Sequence, residues 1–117
     1  MNFSMNLLRP RMALVVIALL GGAWVSAASD DEAAFLKDND AAMTKMMAAM
    51  TVKPSGDVDK DFVASMVPHH QGAIEMAQAE LRYGRNAQLR RLAQEIIVEQ
   101  TQEIAVMQMA VQKESDK

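Results

Sequence analysis

Apolar side chains return every three or four residues along most of this chain, and no stretch alternates apolar with polar at period two. The first spacing is that of a helix face and the second that of a strand, so the pattern predicts helices and no strands. The first predicted helix runs from about Asp31 to Met50. Ser29 or Asp30 serves as its cap, and Asp31 and Glu32 suit the positive end of its dipole. It stops in Thr51-Val52-Lys53-Pro54-Ser55-Gly56, where Pro and Gly cluster. The second runs from about Asp59 to Tyr83, with Asp57 or Asp59 as cap and Gly84 ending it as the C′ residue. The third starts near Asn86 and reaches about Lys113. Short connections make long helices antiparallel neighbours. The expected fold is therefore all-α, a small up-down bundle of three helices.

A different pattern precedes them. Arg9 and Arg11 stand before an uncharged, mostly apolar run of 14 residues from Met12 to Val25. Val25-Ser26-Ala27 and Ser26-Ala27-Ala28 are small-residue cleavage sites. Residues 1–28 thus read as a signal peptide cut after Ala27 or Ala28, because the run falls short of the roughly 20 residues that a membrane span needs. Residues 29–117 form the single mature domain. The expected location is periplasmic or secreted, with no membrane attachment after cleavage.

Composition narrows the chemistry. The chain has 117 residues, no Cys, 12 Lys+Arg and 15 Asp+Glu. Loss of residues 1–28 takes Arg9 and Arg11 and no acidic residue, so the balance becomes 10 against 15, or -5. An acidic chain with only five aromatics is no nucleic-acid binder, which needs a basic face and stacking platforms. Without Cys there is no disulfide scaffold, thiolate metal site or thiol nucleophile. Methionine is the unusual component, at 11 residues.

On a helical wheel, Leu36, Met43, Met46, Met47 and Met50 fall within one arc of the first helix, with Asn39 inside it and Asp40 at its edge. Phe62, Met66, His70, Ala73 and Ala77 form a stripe on the second, with His69 and Met76 on its flank. Leu89, Leu92, Ala93, Ile96, Met107 and Ala110 make the apolar face of the third, and Gln100 and Glu103 lie inside that face. A carboxylate in an apolar seam implies a charged or hydrogen-bonding partner, or an escape to solvent.

The two histidines of the chain are adjacent, in Met66-Val67-Pro68-His69-His70. Neighbouring helical side chains diverge by about 100°, so the pair is no chelate on one helix. It serves two sites, or one ring binds while the other orients. Pro68 within the helix removes a donor to the Ala64 carbonyl and predicts a kink there; alternatively it opens a helix at its first position. Thioether sulfur and imidazole together suit Cu(I), and by extension Ag(I) or Cu(II). The candidate ligands are Met66 and one of His69 and His70 on the second helix and Met43, Met47 and Met50 on the first, with Met46 and Met107 as reserve ligands. Glu103 is the candidate to orient an imidazole. Metal affinity then falls below about pH 6, as imidazole takes up protons. The same Met stripe is also what an ordinary core looks like, since Met fills irregular gaps. On that alternative the chain is a helical interaction module with an adaptable, Met-rich apolar surface and no metal. Neither Glu-x-x-His nor His-Glu-x-x-His is present, and no Gly-rich phosphate loop occurs, so no enzyme is expected.

The run Asp59-x-x-Phe62-x-x-x-Met66-Val67-Pro68-His69-His70-Gln71-Gly72-Ala73-Ile74-Glu75-Met76-Ala77 resembles the signature of the domain-of-unknown-function family 305. Its downstream half, Leu89-x-x-Leu92-Ala93-x-x-Ile96-Ile97-x-x-Gln100-x-x-Glu103-Ile104-x-x-Met107, is similar too, and together they cover about residues 33–110. The resemblance implies an exported, ferritin-like helical bundle, with some members implicated in periplasmic copper binding and resistance. It implies metal roles for Met66, His69 and His70. It also implies a copper buffer, scavenger or chaperone. Many members end the third helix in Trp-Leu where Ala110-Val111 stands here, and longer members carry two His-His units where this chain has one. A single unit leaves the bundle one helix short, and a homodimer pairing its Met faces about a two-fold axis would complete it.

Overall fold

The computed structural model describes residues 22–115, with side chains described for residues 30–113. Helix α1 is Gly22–Ala49, α2 is Val58–Tyr83 and α3 is Ala87–Ser115, and among the described residues there is no strand. The all-α expectation holds. The leader expected at 1–28 lies mostly outside the described residues. Among those described, no helix is long and apolar enough to cross a membrane.

The ends of the helices follow from local chemistry, with two differences from expectation. Asp57 caps α2, its carboxylate accepting from the amides of Asp59 at 3.0 Å and Lys60 at 3.2 Å. Asn86 caps α3 in the same way, accepting from the Gln88 and Leu89 amides. α1, however, does not begin at Asp31. It runs unbroken from Gly22, so Ser29 and Asp30 are interior to it and cap nothing. Nothing between Gly22 and Asp31 breaks a helix, and the small-residue stretch simply continues it. Gly84 follows the last residue of α2 but has φ -72°, not the left-handed value of a glycine C-cap. Arg90 ends the helix instead, its Nη1 donating to the carbonyls of Leu81 at 2.6 Å and Gly84 at 3.0 Å. The left-handed position is Gly56, at φ 87° in the α1–α2 connection. Pro68 sits inside α2, which starts ten residues earlier, so it does not open a helix.

α2 lies between the other two and packs against both, whereas among the described residues α1 and α3 make no close backbone contact with one another. Asp38 takes bonds from Arg82 and Tyr83, and Lys45 pairs with Glu75 farther down, so α1 and α2 run antiparallel. These are largely exposed ion pairs, worth about 0–1 kcal/mol each, and they set register more than stability. Closeness comes from small residues. The buried apolar set is Ala42, Ile74, Ala77, Ala79 and Ala93, and Gly72 is buried with them. A Cβ on Gly72 would sit 2.7 Å from the Met46 sulfur, so this glycine lets α1 press onto α2. The apolar faces read from the sequence are thus present but incompletely covered: Phe62, Leu89 and Leu92 remain 50–54% exposed.

Candidate functional site

His69 and His70 leave α2 in different directions, as adjacent helical positions must. Their rings meet edge-on, with centroids 5.9 Å apart and planes at 61°. Each ring enters its own depression.

His70 is buried between α2 and α3. Its Nδ1–H donates to the Met66 carbonyl at 2.8 Å, and its Nε2 lies 2.6 Å from Oε2 of Glu103. Both ring nitrogens are engaged by partners, so neither is open to a metal ion while these contacts hold. Glu103, the carboxylate inside the apolar face of α3, has found its partner, and its own side chain stays 57% exposed. Both resolutions expected for such a carboxylate operate at once. His70, Glu103, Met66 and Met107 line a trough of about 660 Å³, with Phe62 and Glu99 along it.

His69 is exposed, and among the described residues nothing hydrogen-bonds its ring. It enters a groove of about 510 Å³ that runs over α2 between α1 and α3. Met43 and Met46 reach this groove from α1 and Met76 from α2. Ala73, Ala77, Leu89, Leu92 and Ile96 supply much of its apolar wall, and Glu80 is its carboxylate. Three thioethers and one free imidazole therefore share one apolar depression. Among the described residues, no three of His, Cys, Asp and Glu come together. The donor set of the groove is soft, of the kind that selects a monovalent coinage-metal ion over a hard one.

The eight candidate ligands do not form one set. Met43, Met46 and His69 are brought together. Met66, His70 and Met107 are brought together elsewhere, beside Glu103. Met47 is 59% exposed and lines neither depression, and Met50 lines neither. The division follows from the i,i+1 spacing of the histidines, which sends one ring to each side. Met76 was not among the candidates, although its place seven residues after His69, on the same flank, was the signal for it.

No curated protein matches this chain. The family model described as "Domain of unknown function (DUF305)" matches residues 22–111, and the chain belongs to that family.

Proposed function

We propose that this protein binds copper as cargo, Cu(I) foremost and Ag(I) or Cu(II) by extension, in the groove over α2. The observation that carries the reading is that Met43, Met46 and Met76 line the same depression as His69, whose ring has no hydrogen-bond partner among the described residues. Thioether sulfur and neutral imidazole are soft or borderline donors, and an apolar wall favours a weakly hydrated ion over a hard, hydrated one. The likeness of the Met-x-x-His-His run to copper-handling members of its family supports the same reading. The 1–28 leader points to the periplasm or the exterior, where methionine offers sulfur without disulfide chemistry. The role is that of a buffer, scavenger or chaperone, and no reaction is assigned.

In this assignment His69 and His70 divide the labour. His69 is the ligand. His70, with both nitrogens engaged, holds α2 against α3 and fixes where His69 emerges.

The experiment is a Cu(I) titration of the purified protein against a competing chelator, repeated with His69→Ala, Met43→Leu and Met76→Leu. Binding that weakens about tenfold or more in each variant supports the proposal. Binding absent from the parent protein, or indifferent to all three changes, overturns it and leaves the groove as an apolar docking surface.

A further inference from the structure

The groove is open along its length, and the protein has little interior to spare. Ile74 is the one large side chain among the buried apolar residues, and none of the described large side chains is wholly out of solvent. On the open side, Leu36, Met43, Met47, Leu89 and Leu92 are 38–59% exposed. Met43, Leu89 and Leu92 border the groove, and the α1 stripe continues two turns back to Leu36 and one turn on to Met47. Summed over these five side chains, the exposed apolar surface is on the order of a few hundred Å², the range in which association sites are found. That is a fair share of the roughly 800 Å² per partner in a stable interface. A chain this small, with no Cys to staple it, has few other means of adding buried surface than association.

Dimensions point to the occupant. The groove floor on α2 runs from His69 to Glu80, eleven residues and about 16 Å of helix. The exposed stripe of α1 runs from Leu36 to Met47, also eleven residues, and nothing among the described residues covers it. A second copy therefore carries a rod of matching length and apolar character. When each α1 lies in the other's groove, the contact is reciprocal and closes as a two-fold pair.

We propose that a second copy of this chain covers the groove with its α1 stripe, and that the second copy's Met47 joins Met43, Met46, Met76 and His69. The pairing stands on the apolar surface alone, while the Met47 contribution rests on the copper reading above.

Sedimentation velocity of the metal-free protein across micromolar concentrations tests the pairing. Dimer is expected, lost in Leu36→Glu and in Leu89→Glu and retained in Val98→Glu, a change at an equally exposed residue that does not line the groove. Circular dichroism keeps unfolding separate from dissociation. Because the chain has no Cys, copies carrying Met47→Cys can be mixed with copies carrying Leu92→Cys under oxidation. A disulfide between the two kinds of copy is expected, and none when Val98→Cys replaces Leu92→Cys. A monomer at every concentration, or a dimer indifferent to Leu36→Glu and Leu89→Glu, overturns the pairing. Met47→Leu is expected to keep the dimer and weaken Cu(I) binding about tenfold; unchanged affinity overturns the Met47 contribution. A dimer that binds no Cu(I) overturns the copper reading and Met47's place in it, and upholds the pairing.

Discussion

Glu103 on α3 reaches Nε2 of His70 on α2 at 2.6 Å, while the other ring nitrogen of His70 is held by the Met66 carbonyl. This bond joins a buried imidazole to a carboxylate half in solvent, and it is the one polar side-chain pair across the middle of the α2–α3 contact among the described residues. Removing the carboxylate takes away the one partner of Nε2 among the described residues. Glu103→Ala is expected to lower stability by about 1–2 kcal/mol. Access of water to the exposed side of the pair keeps the loss from being larger. Urea unfolding followed by circular dichroism measures it. The Cu(I) affinity of the folded variant is expected to stay within about threefold of the parent, because His69 stands in the other depression.

Gly72 leaves room for Met46 where α1 presses on α2. Gly72→Ala would gain about 1 kcal/mol from helix propensity, but its Cβ would fall 2.7 Å from the Met46 sulfur and 2.9 Å from the Met46 Cβ. The nearer of these is the end of a flexible side chain, whereas the second is fixed to the backbone of α1. Overpacking of this kind costs about 1–3 kcal/mol, so the net change is expected to be destabilising. A fall in melting temperature checks this. In the double variant Gly72→Ala/Met46→Ala the sulfur clash disappears, and the added cost of Gly72→Ala is expected to shrink.

Arg90 does for the end of α2 what Gly84 does not. Its guanidinium satisfies the Leu81 and Gly84 carbonyls, so Arg90→Ala is expected to cost about 1–2 kcal/mol. Hydrogen exchange should locate the effect, with faster exchange at residues 81–89 and unchanged protection around Gly72.

The two depressions make opposite predictions for two methionines. Met76 shares the groove with His69, whereas Met107 lies in the trough with His70 and Glu103. Met76→Leu is expected to weaken Cu(I) binding about tenfold, and Met107→Leu to leave it unchanged. Competition titrations of the two variants check both expectations.

Much of this was legible in residue order. Periodicity located three helices, and Asp57 and Asn86 stood where caps belong. Glu103 inside an apolar face signalled a buried partner. The start of α1 was not legible, because Ser29 and Asp30 have the chemistry of caps yet lie in a stretch that nothing interrupts. Nor was the division of the methionines. A helical wheel says which residues share a face but not which neighbour that face meets, so Met47 ranked as a ligand ahead of Met46, the reverse of their places in the structure. Packing separates them: Met46 is pressed on Gly72 and Met47 is left in solvent. The incomplete cover over Leu89 and Leu92 was hidden for the same reason, since an apolar face reads alike whether or not its partner belongs to the same chain.

Because α1 and α3 each pack on α2 and, among the described residues, make no close backbone contact with each other, the molecule is two hairpins sharing one rod. Each outer helix has its own fastenings: Asp38 and Lys45 for α1, Glu103 and Arg90 for α3. Loss of one set of fastenings is therefore expected to loosen one outer helix and to leave the contacts of the other hairpin in place.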